Sequence, residues 1–430
     1  MSILLDWLLI CVSSIILYKS ADRILKLKSK TVADYLILVI FVFNCFPVFL
    51  DQIVGLPEYL PWHYGFKIAM ENELIDIIYS FYMLVVMLVI ATYSLIVNKL
   101  NYFHPIEYKG IMSRSLKLLL WILLVSPFLH VLFSGQLLKY GTYGTYSSRG
   151  LTSSFYEINS ILVLLSLLSF CCLFFGKNRS RIHFVSLIVY SLFIIWIDGK
   201  RYIIVTMLVM FFFFYVNSVR KQINRRSLVK VAILASLSVI IFYFIYAVFI
   251  KHTSDLTLDS MYMNYRVDFG RDEVTKFVLH REIIDRDPIL EYRGQTILSI
   301  LLMPIPREIW PDKPYPHYRY LSAELYGTTI YDIPSGMTPS LFEMFIANFS
   351  VIPGMVGSIL FLLFASIWTD SCRSVPRKAI YLLLTIGTLT QSMDALLAYI
   401  IIAPIISFIG WLRSTLKWKH KQIYSHIIGS

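Results

Sequence analysis

Long apolar runs, separated mostly by short segments rich in lysine and arginine, dominate the chain. A run of about 18 or more apolar residues is long enough to span the hydrocarbon core of a bilayer. In lipid each backbone N–H and C=O must be satisfied within the segment, so such runs must be helices. The alternating pattern of a membrane barrel strand is absent. Of the 430 residues 57% are hydrophobic and only 15% charged, whereas a water-soluble domain carries about a quarter charged residues. The expected fold is an all-α polytopic integral membrane protein with about 11 transmembrane helices and one large extracytoplasmic loop containing short helices.

The spans read near 2–18, 32–50, 76–97, 118–134, 156–176, 184–198, 202–218, 231–250, 343–368, 379–392 and 395–412. The last two form a tight hairpin interrupted by Gln391-Ser392-Met393-Asp394, because 34 residues exceed one span. Positive charge orients them. The segments 19–31, 98–117, 177–183, 219–230, 369–378 and 413–430 hold 24 lysines and arginines against three acids, Asp22, Glu107 and Asp370. Basic segments of this kind stay in the cytoplasm. The first run lacks a basic n-region and a cleavage site and is followed by Lys19, Arg23, Lys26, Lys28 and Lys30, so it reads as a retained span with its N-terminus outside. The organisation expected is an N-terminal bundle of about eight spans over 1–250, an outside loop over 251–342, and about three spans with a basic cytoplasmic tail over 343–430. The net charge of +12 follows this placement and does not point to nucleic acid. Four of the five cysteines, Cys11, Cys45, Cys171 and Cys172, lie in apolar runs and Cys372 lies in a basic loop, with neither a disulfide framework nor a metal-ligand spacing.

The loop carries ten basic and thirteen acidic residues, and a loop of that length needs a reason. Within it, Arg271 to Arg286 reads as an amphipathic helix with Val274, Phe277, Val278 and Ile284 on or near one face. The apolar stretch Thr296 to Met303 is too short to cross and reads as re-entrant or interfacial. Arg266, Arg271, Arg281, Arg286, Arg293, Arg307 and Arg319 are not explained by cytoplasmic sorting. They either pair with the loop's acids or bind a phosphate, which arginine engages bidentately. The run Met303 to Arg319 holds five prolines that stiffen it, presenting Arg307, Lys313, His317 and Arg319. Trp310, Tyr315, Tyr318 and Tyr320 suit either sugar stacking or an aromatic belt. Asp198-Gly199-Lys200-Arg201 makes a very short outside turn whose Lys200 and Arg201 either snorkel or receive an anion at a helix N-terminus. Glu343, Asp394 and Glu157 sit at outer span ends, where ionisable residues are costly. Gly354 and Gly357 suit close helix packing. No Walker loop, GxSxG elbow or HExxH motif is present, and Glu71-Asn72-Glu73 is a weak acidic pair, so no metal or other cofactor is expected.

With these features the chain resembles the Wzy-type O-antigen and capsule repeat-unit polymerases of bacteria. The resemblance is carried by the many-span layout with one large loop, by Gly199-Lys200-Arg201 opening a span, and by Pro306-Arg307-Glu308-Ile309-Trp310-Pro311-Asp312-Lys313-Pro314. It continues through Gly336, Thr338, Glu343 and Asn348 into Pro353-Gly354 and Gly357. One departure stands out: some members carry an arginine followed eleven residues later by glycine in outside loops, and no arginine here has that spacing. The resemblance implies a metal-independent membrane glycosyltransferase of the inner membrane. Its donor and acceptor are oligosaccharides on undecaprenyl pyrophosphate, and its partners include membrane lipid, a chain-length regulator and a flippase. In that frame Arg201, Arg293, Arg307 and Arg319 are the expected catalytic cations. Lys200, Lys313, His317, Trp310 and Tyr318 bind substrate, and Glu343 takes the acceptor proton. A polysaccharide ligase using the same donor shares this chemistry. A lipid-oligosaccharide flippase would require more ionisable residues within the spans than the sequence shows.

Overall fold

The computed structural model describes residues 2–26, 28, 31–100, 114–141, 149–175, 181–199, 202–218, 226, 229–230, 233, 257–302, 305, 307, 309–372 and 374–391. Among the described residues the regular elements are all helical. In chain order they are α1 (Ser2–Leu25), α2 (Ala33–Val54), α3 (Tyr64–Glu71), α4 (Glu73–Leu100), α5 (Arg114–Phe133), α6 (Ser153–Phe174), α7 (Arg181–Asp198) and α8 (Tyr202–Ser218). There follow α9 (Leu258–Phe269), α10 (Asp272–His280), α11 (Gln295–Leu301), α12 (His317–Tyr326), α13 (Leu341–Phe349), α14 (Val351–Ser371) and α15 (Val375–Thr390). Helices α1, α2, α4, α5 and α14 are long and apolar enough to cross a membrane, and α6, α7 and α8 contain shorter apolar stretches. The chain is therefore an all-helical membrane protein with several spans. The expected spans at 231–250 (Ile233 apart) and 395–412 fall outside the described residues.

The chain divides into two compact units. The first contains α1 to α4, α9 to α14 and the end of α15. Here α1, α2 and α4 pack around a core of Leu9, Leu36, Ile37, Ile40, Tyr79, Met83 and Ile90. Polar groups close this core at both ends. At one end Arg23 donates to Asp34 at 2.6 Å, with Ser20, Ser94 and Asn98 around the pair. Beside it Asp370 accepts from the Val32 amide at 2.9 Å and from the Thr31 hydroxyl, capping the start of α2. At the other end Asp6 accepts from Gln52 at 2.8 Å and Ser80 at 2.5 Å.

Midway along α2 the residues Phe41–Cys45 widen into a π turn. Such a turn loosens the i−4 ladder and frees carbonyls for other donors. The Phe43 carbonyl receives the Arg271 amide at 2.9 Å, and the Asn44 carbonyl receives the Tyr79 hydroxyl at 2.8 Å. Phe43 lies roughly 16 Å along the axis from the Val54 end, at 1.5 Å per residue. Residues 258–280 are thus not a detached polar loop. They form a re-entrant hairpin, with α9 running down beside α2, a tip at Gly270–Arg271, and α10 climbing back against α3, α4 and α13. A Cβ on Gly270 would stand 2.6 Å from the Arg266 carbonyl, so the tip requires glycine. The expected amphipathic helix over Arg271–Arg286 is corrected accordingly. All of α10 is buried, around its whole circumference, and a π turn at Arg281–Asp285 follows, where Ile284 is exposed.

The expected span 343–368 is also corrected, because it is two helices. Ser350 adopts φ 71° and ψ 172°, a backbone conformation that residues other than glycine rarely take. The chain reverses there. The half-helix α13 folds back on α14, with Phe345 and Phe361 ring centroids 5.6 Å apart. Gly354 lets the Ile346 backbone approach, since a Cβ there would meet the Ile346 Cα at 2.5 Å. Pro353 falls in the first turn of α14, where its missing N–H costs nothing.

The second unit contains α5 to α8 and the first part of α15. Ser166 on α6 donates to the Leu124 carbonyl on α5 at 2.8 Å, beside Pro127 in the same helix. Phe170 stacks on Tyr190 at 4.1 Å between α6 and α7. Arg149 is buried at the C-terminal end of α7, donating to the Trp196 and Ile197 carbonyls over the Tyr140 ring. A cation there meets the negative end of the helix dipole.

Candidate functional site

The segment 305–320 begins just after α11 and runs into the first turn of α12. Arg307 donates to the carbonyls of Lys313 at 2.6 Å, Pro314 at 3.1 Å and Pro311 at 3.3 Å. Its guanidinium lies 3.7 Å from the Tyr315 ring centroid. Arg319 lies 5.0 Å from the same ring and donates to the Ile330 carbonyl at 3.1 Å. The prolines leave several carbonyls without ladder partners, and Arg307 collects them. The result is a stiff loop with two guanidinium groups beside one aromatic ring. Neither group has a carboxylate within ion-pair distance among the described residues. Lys313 reaches the Ile305 carbonyl at 2.9 Å. Desolvation, with Arg307 nearby, holds its ammonium below the usual lysine value.

The loop's other arginines are engaged differently. Arg293 forms a fork with Glu282 at 2.5 and 2.7 Å and also donates to the Ala347 carbonyl near the end of α13. It is a clamp within the protein and not an open anion site, which corrects its expected role. Arg281 is shared by Asp285, Asp287 and Glu324. Arg266 is fully buried among three carboxylates. Arg271 is buried and donates to the carbonyls of Thr390 and Asp268. Burial pushes its guanidinium down to about 10, opposed first by Glu343.

Glu343 is sealed from solvent. With Ser340 it forms a capping box on α13, its Oε2 accepting from the Ser340 amide at 2.8 Å and hydroxyl at 2.6 Å. Its Oε1 has no hydrogen-bond partner and faces His317 Nε2 at 3.5 Å. The other ring nitrogen of His317 meets the Thr296 hydroxyl at 3.1 Å. Asn348 joins them, donating to Thr296 Oγ1 at 2.6 Å and accepting from the Thr296 amide at 3.1 Å. His317, expected to bind substrate, is therefore a buried link between α11, α12 and α13. Glu343, expected at the mouth of a span as a base, is a helix cap. Trp310 is exposed, and Tyr318 is half-buried against Gly336.

The structure thus brings Arg307 and Arg319 to Tyr315, with Lys313 beside Arg307, and places His317 and Glu343 in a buried network below the surface. Lys200, Arg201 and Asp394, and the Glu157 side chain, lie outside the described residues. Helices α7 and α8 do bracket the 199–201 turn, and Gly199 takes a positive φ of 71° there. Glu71 pairs weakly with Lys67 at 3.9 Å. Among the described residues no cluster of His, Cys, Asp and Glu has the geometry to hold a metal ion. The role of Ser340 was readable from the Ser-x-x-Glu spacing. The Arg266 network had no sequence signal, since its members are scattered from residue 51 to 273. No family model, no curated protein and no solved structure matches the chain.

Proposed function

We propose that this protein is a membrane-embedded, metal-independent glycosyltransferase that polymerises undecaprenyl-pyrophosphate-linked oligosaccharide repeat units of a bacterial surface polysaccharide. The reading takes the eleven-span topology, with the loop 251–342 entered from the outer side of the cytoplasmic membrane and the C-terminus in the cytoplasm. The observation that carries it is the pair Arg307 and Arg319, at 3.7 and 5.0 Å from the Tyr315 centroid and without carboxylate partners among the described residues.

In the reaction an acceptor hydroxyl attacks the anomeric carbon of the donor chain, the bond to the lipid pyrophosphate breaks, and the hydroxyl proton is taken up by the departing pyrophosphate. Charge develops on the departing pyrophosphate. Fixed cations aimed at that charge lower the barrier most, because they need no reorganisation during the step. Arg307 is held by three carbonyls, so its position is set before substrate arrives. Arg319 and Lys313 add charge beside it, Trp310 offers a face for a sugar ring, and Tyr318 supports the loop through Gly336. Lys200 and Arg201 are proposed to serve the same phosphate group from their own turn. Arg293 and Glu343 hold the architecture.

Purified protein supplied with lipid-linked repeat units in EDTA should yield a ladder of products. Arg319→Ala should lower kcat/KM about 100-fold, the usual effect of losing one oxyanion donor. Wild-type rates in both Arg319→Ala and Arg307→Lys, at normal expression, would falsify the assignment. Transfer of finished polymer to a second acceptor, without a ladder, would identify a ligase instead.

A further inference from the structure

The re-entrant hairpin carries a charge arrangement that glycosyl transfer does not use. Arg266 on α9 is fully buried. Its Nη1 and Nη2 bind Asp272 at 2.8 and 2.7 Å, Nη2 lies 3.1 Å from Asp51 on α2, and Nε lies 3.0 Å from Glu273 Oε1 on α10. One positive charge thus faces three carboxylates. The adjoining groups do not restore balance. Lys276 on α10 is taken by Asp76 on α4 at 2.6 Å, with Asp6 on α1 next in line. Arg271, at the tip, faces Asp268 and Glu343 as well as Glu273 and Asp272. The remaining ionisable neighbours are phenols. Tyr59 donates to Glu273 Oε1 at 2.7 Å, Tyr262 donates to Asp51, and Tyr265 lies alongside.

Excess negative charge sealed inside an apolar bundle is far too costly to persist uncompensated. A second observation shows where compensation enters. Glu273 is fully buried, and its Oε2 has no hydrogen-bond partner. That oxygen is the natural seat of a proton.

We propose that the Arg266 network is a proton-binding site, seated at Glu273, whose proton holds the α9–α10 hairpin in the bundle. Burial and the neighbouring Asp272 and Asp51 raise the Glu273 carboxyl against the pull of Arg266. An acid whose folded value lies above its unfolded value gives stability that is complete below the unfolded value, about 4.3 for glutamate. That stability is lost as pH climbs through the folded value. Deprotonation therefore loosens the hairpin, and the tip at Gly270–Arg271 is the part released. The inference goes beyond the transferase reading and does not depend on it.

The test uses the full chain in mixed micelles, with unfolding followed by SDS titration from pH 5 to pH 9. The wild-type unfolding constant should rise by up to about tenfold per pH unit through the titration, the slope for one proton. Glu273→Gln, a permanent mimic of the protonated acid, should flatten that rise. Infrared spectra should show a protonated carboxyl C=O stretch that disappears in Glu273→Gln and persists in Asp287→Asn. A slope unchanged in Glu273→Gln, with no such band in wild type, would overturn the proposal. So would sodium or potassium stabilising wild type but not Glu273→Gln without a carboxyl band, which would make the occupant a metal cation. If Glu273→Gln does not fold, Asp51→Asn and Asp6→Asn decide instead: a band that persists in both supports Glu273 as its seat, and a band that vanishes in either, or is absent from wild type, overturns the proposal.

Discussion

Arginine is the residue whose surroundings decide its meaning in this protein. Arg293 and Arg319 lie on the same segment, yet one is forked to a carboxylate and the other rests beside a ring. The Glu282 side chain is only 3% exposed. Removing its partner leaves a nearly buried charge unsatisfied, at a cost of about 1–3 kcal/mol. Arg293→Ala should therefore lower stability by that amount, read as a shift in the SDS midpoint. Arg319→Ala should stay within about 0.5 kcal/mol of wild type, while losing activity. Equal stability losses in the two variants would erase the distinction between clamp and ligand site. Residue identity alone could not separate these arginines, because the sequence shows thirteen acids in the segment without saying which arginine each one meets.

At the scale of elements, the α13–α14 corner makes graded demands. Gly354 faces backbone, the Ile346 Cα at 2.5 Å, whereas Gly357 faces the Phe345 ring at 3.0 Å. A ring can shift and a packed backbone cannot. Gly354→Ala should cost about 1–3 kcal/mol or more, the range for overpacking, and Gly357→Ala distinctly less. Ser350→Gly should stabilise by roughly 1 kcal/mol, since it relieves a left-handed conformation. A midpoint that falls in Ser350→Gly would show that the corner is held by the serine side chain. Gly354 and Gly357 indicated a close helix approach in the sequence. The break at Ser350 was hidden because Asn348 and Ser350 are isolated polar residues in an otherwise apolar stretch long enough to read as one span.

For the whole molecule, helix positions were legible wherever apolar runs met basic breaks. The apolar cores of α1, α2 and α4 to α8 lie where hydropathy puts them, because bilayer thickness imposes a length that sequence displays directly. Residues 258–280 were not legible. Arg266, Asp272, Glu273 and Lys276 look like a solvated surface, and nothing local reveals that they are buried in the interior, with Arg266 among carboxylates and Lys276 against Asp76. In the candidate site the proline-braced loop and its cations were readable. The burial of His317 and Glu343 was not, since it arises from contacts between α11, α12 and α13. The proposed sidedness rests on basic clustering and is directly testable. In intact cells Asp332→Cys should react with an impermeant maleimide, and Lys28→Cys only after permeabilisation. The reverse pattern would place the cation cluster in the cytoplasm and remove its lipid-linked substrate.

The buried hairpin also sets an order of events during biogenesis. Arg266, Asp272 and Glu273 would each cost about 3 kcal/mol on entering lipid by themselves, so the translocon has no reason to release α9–α10 sideways into the membrane. The hairpin must wait until the earlier-synthesised α1, α2 and α4 have assembled a polar slot containing Asp6, Asp51 and Asp76. Docking of the hairpin is therefore expected after membrane insertion of α1, α2 and α4, and a chain arrested before it would be threaded through the membrane yet unfinished.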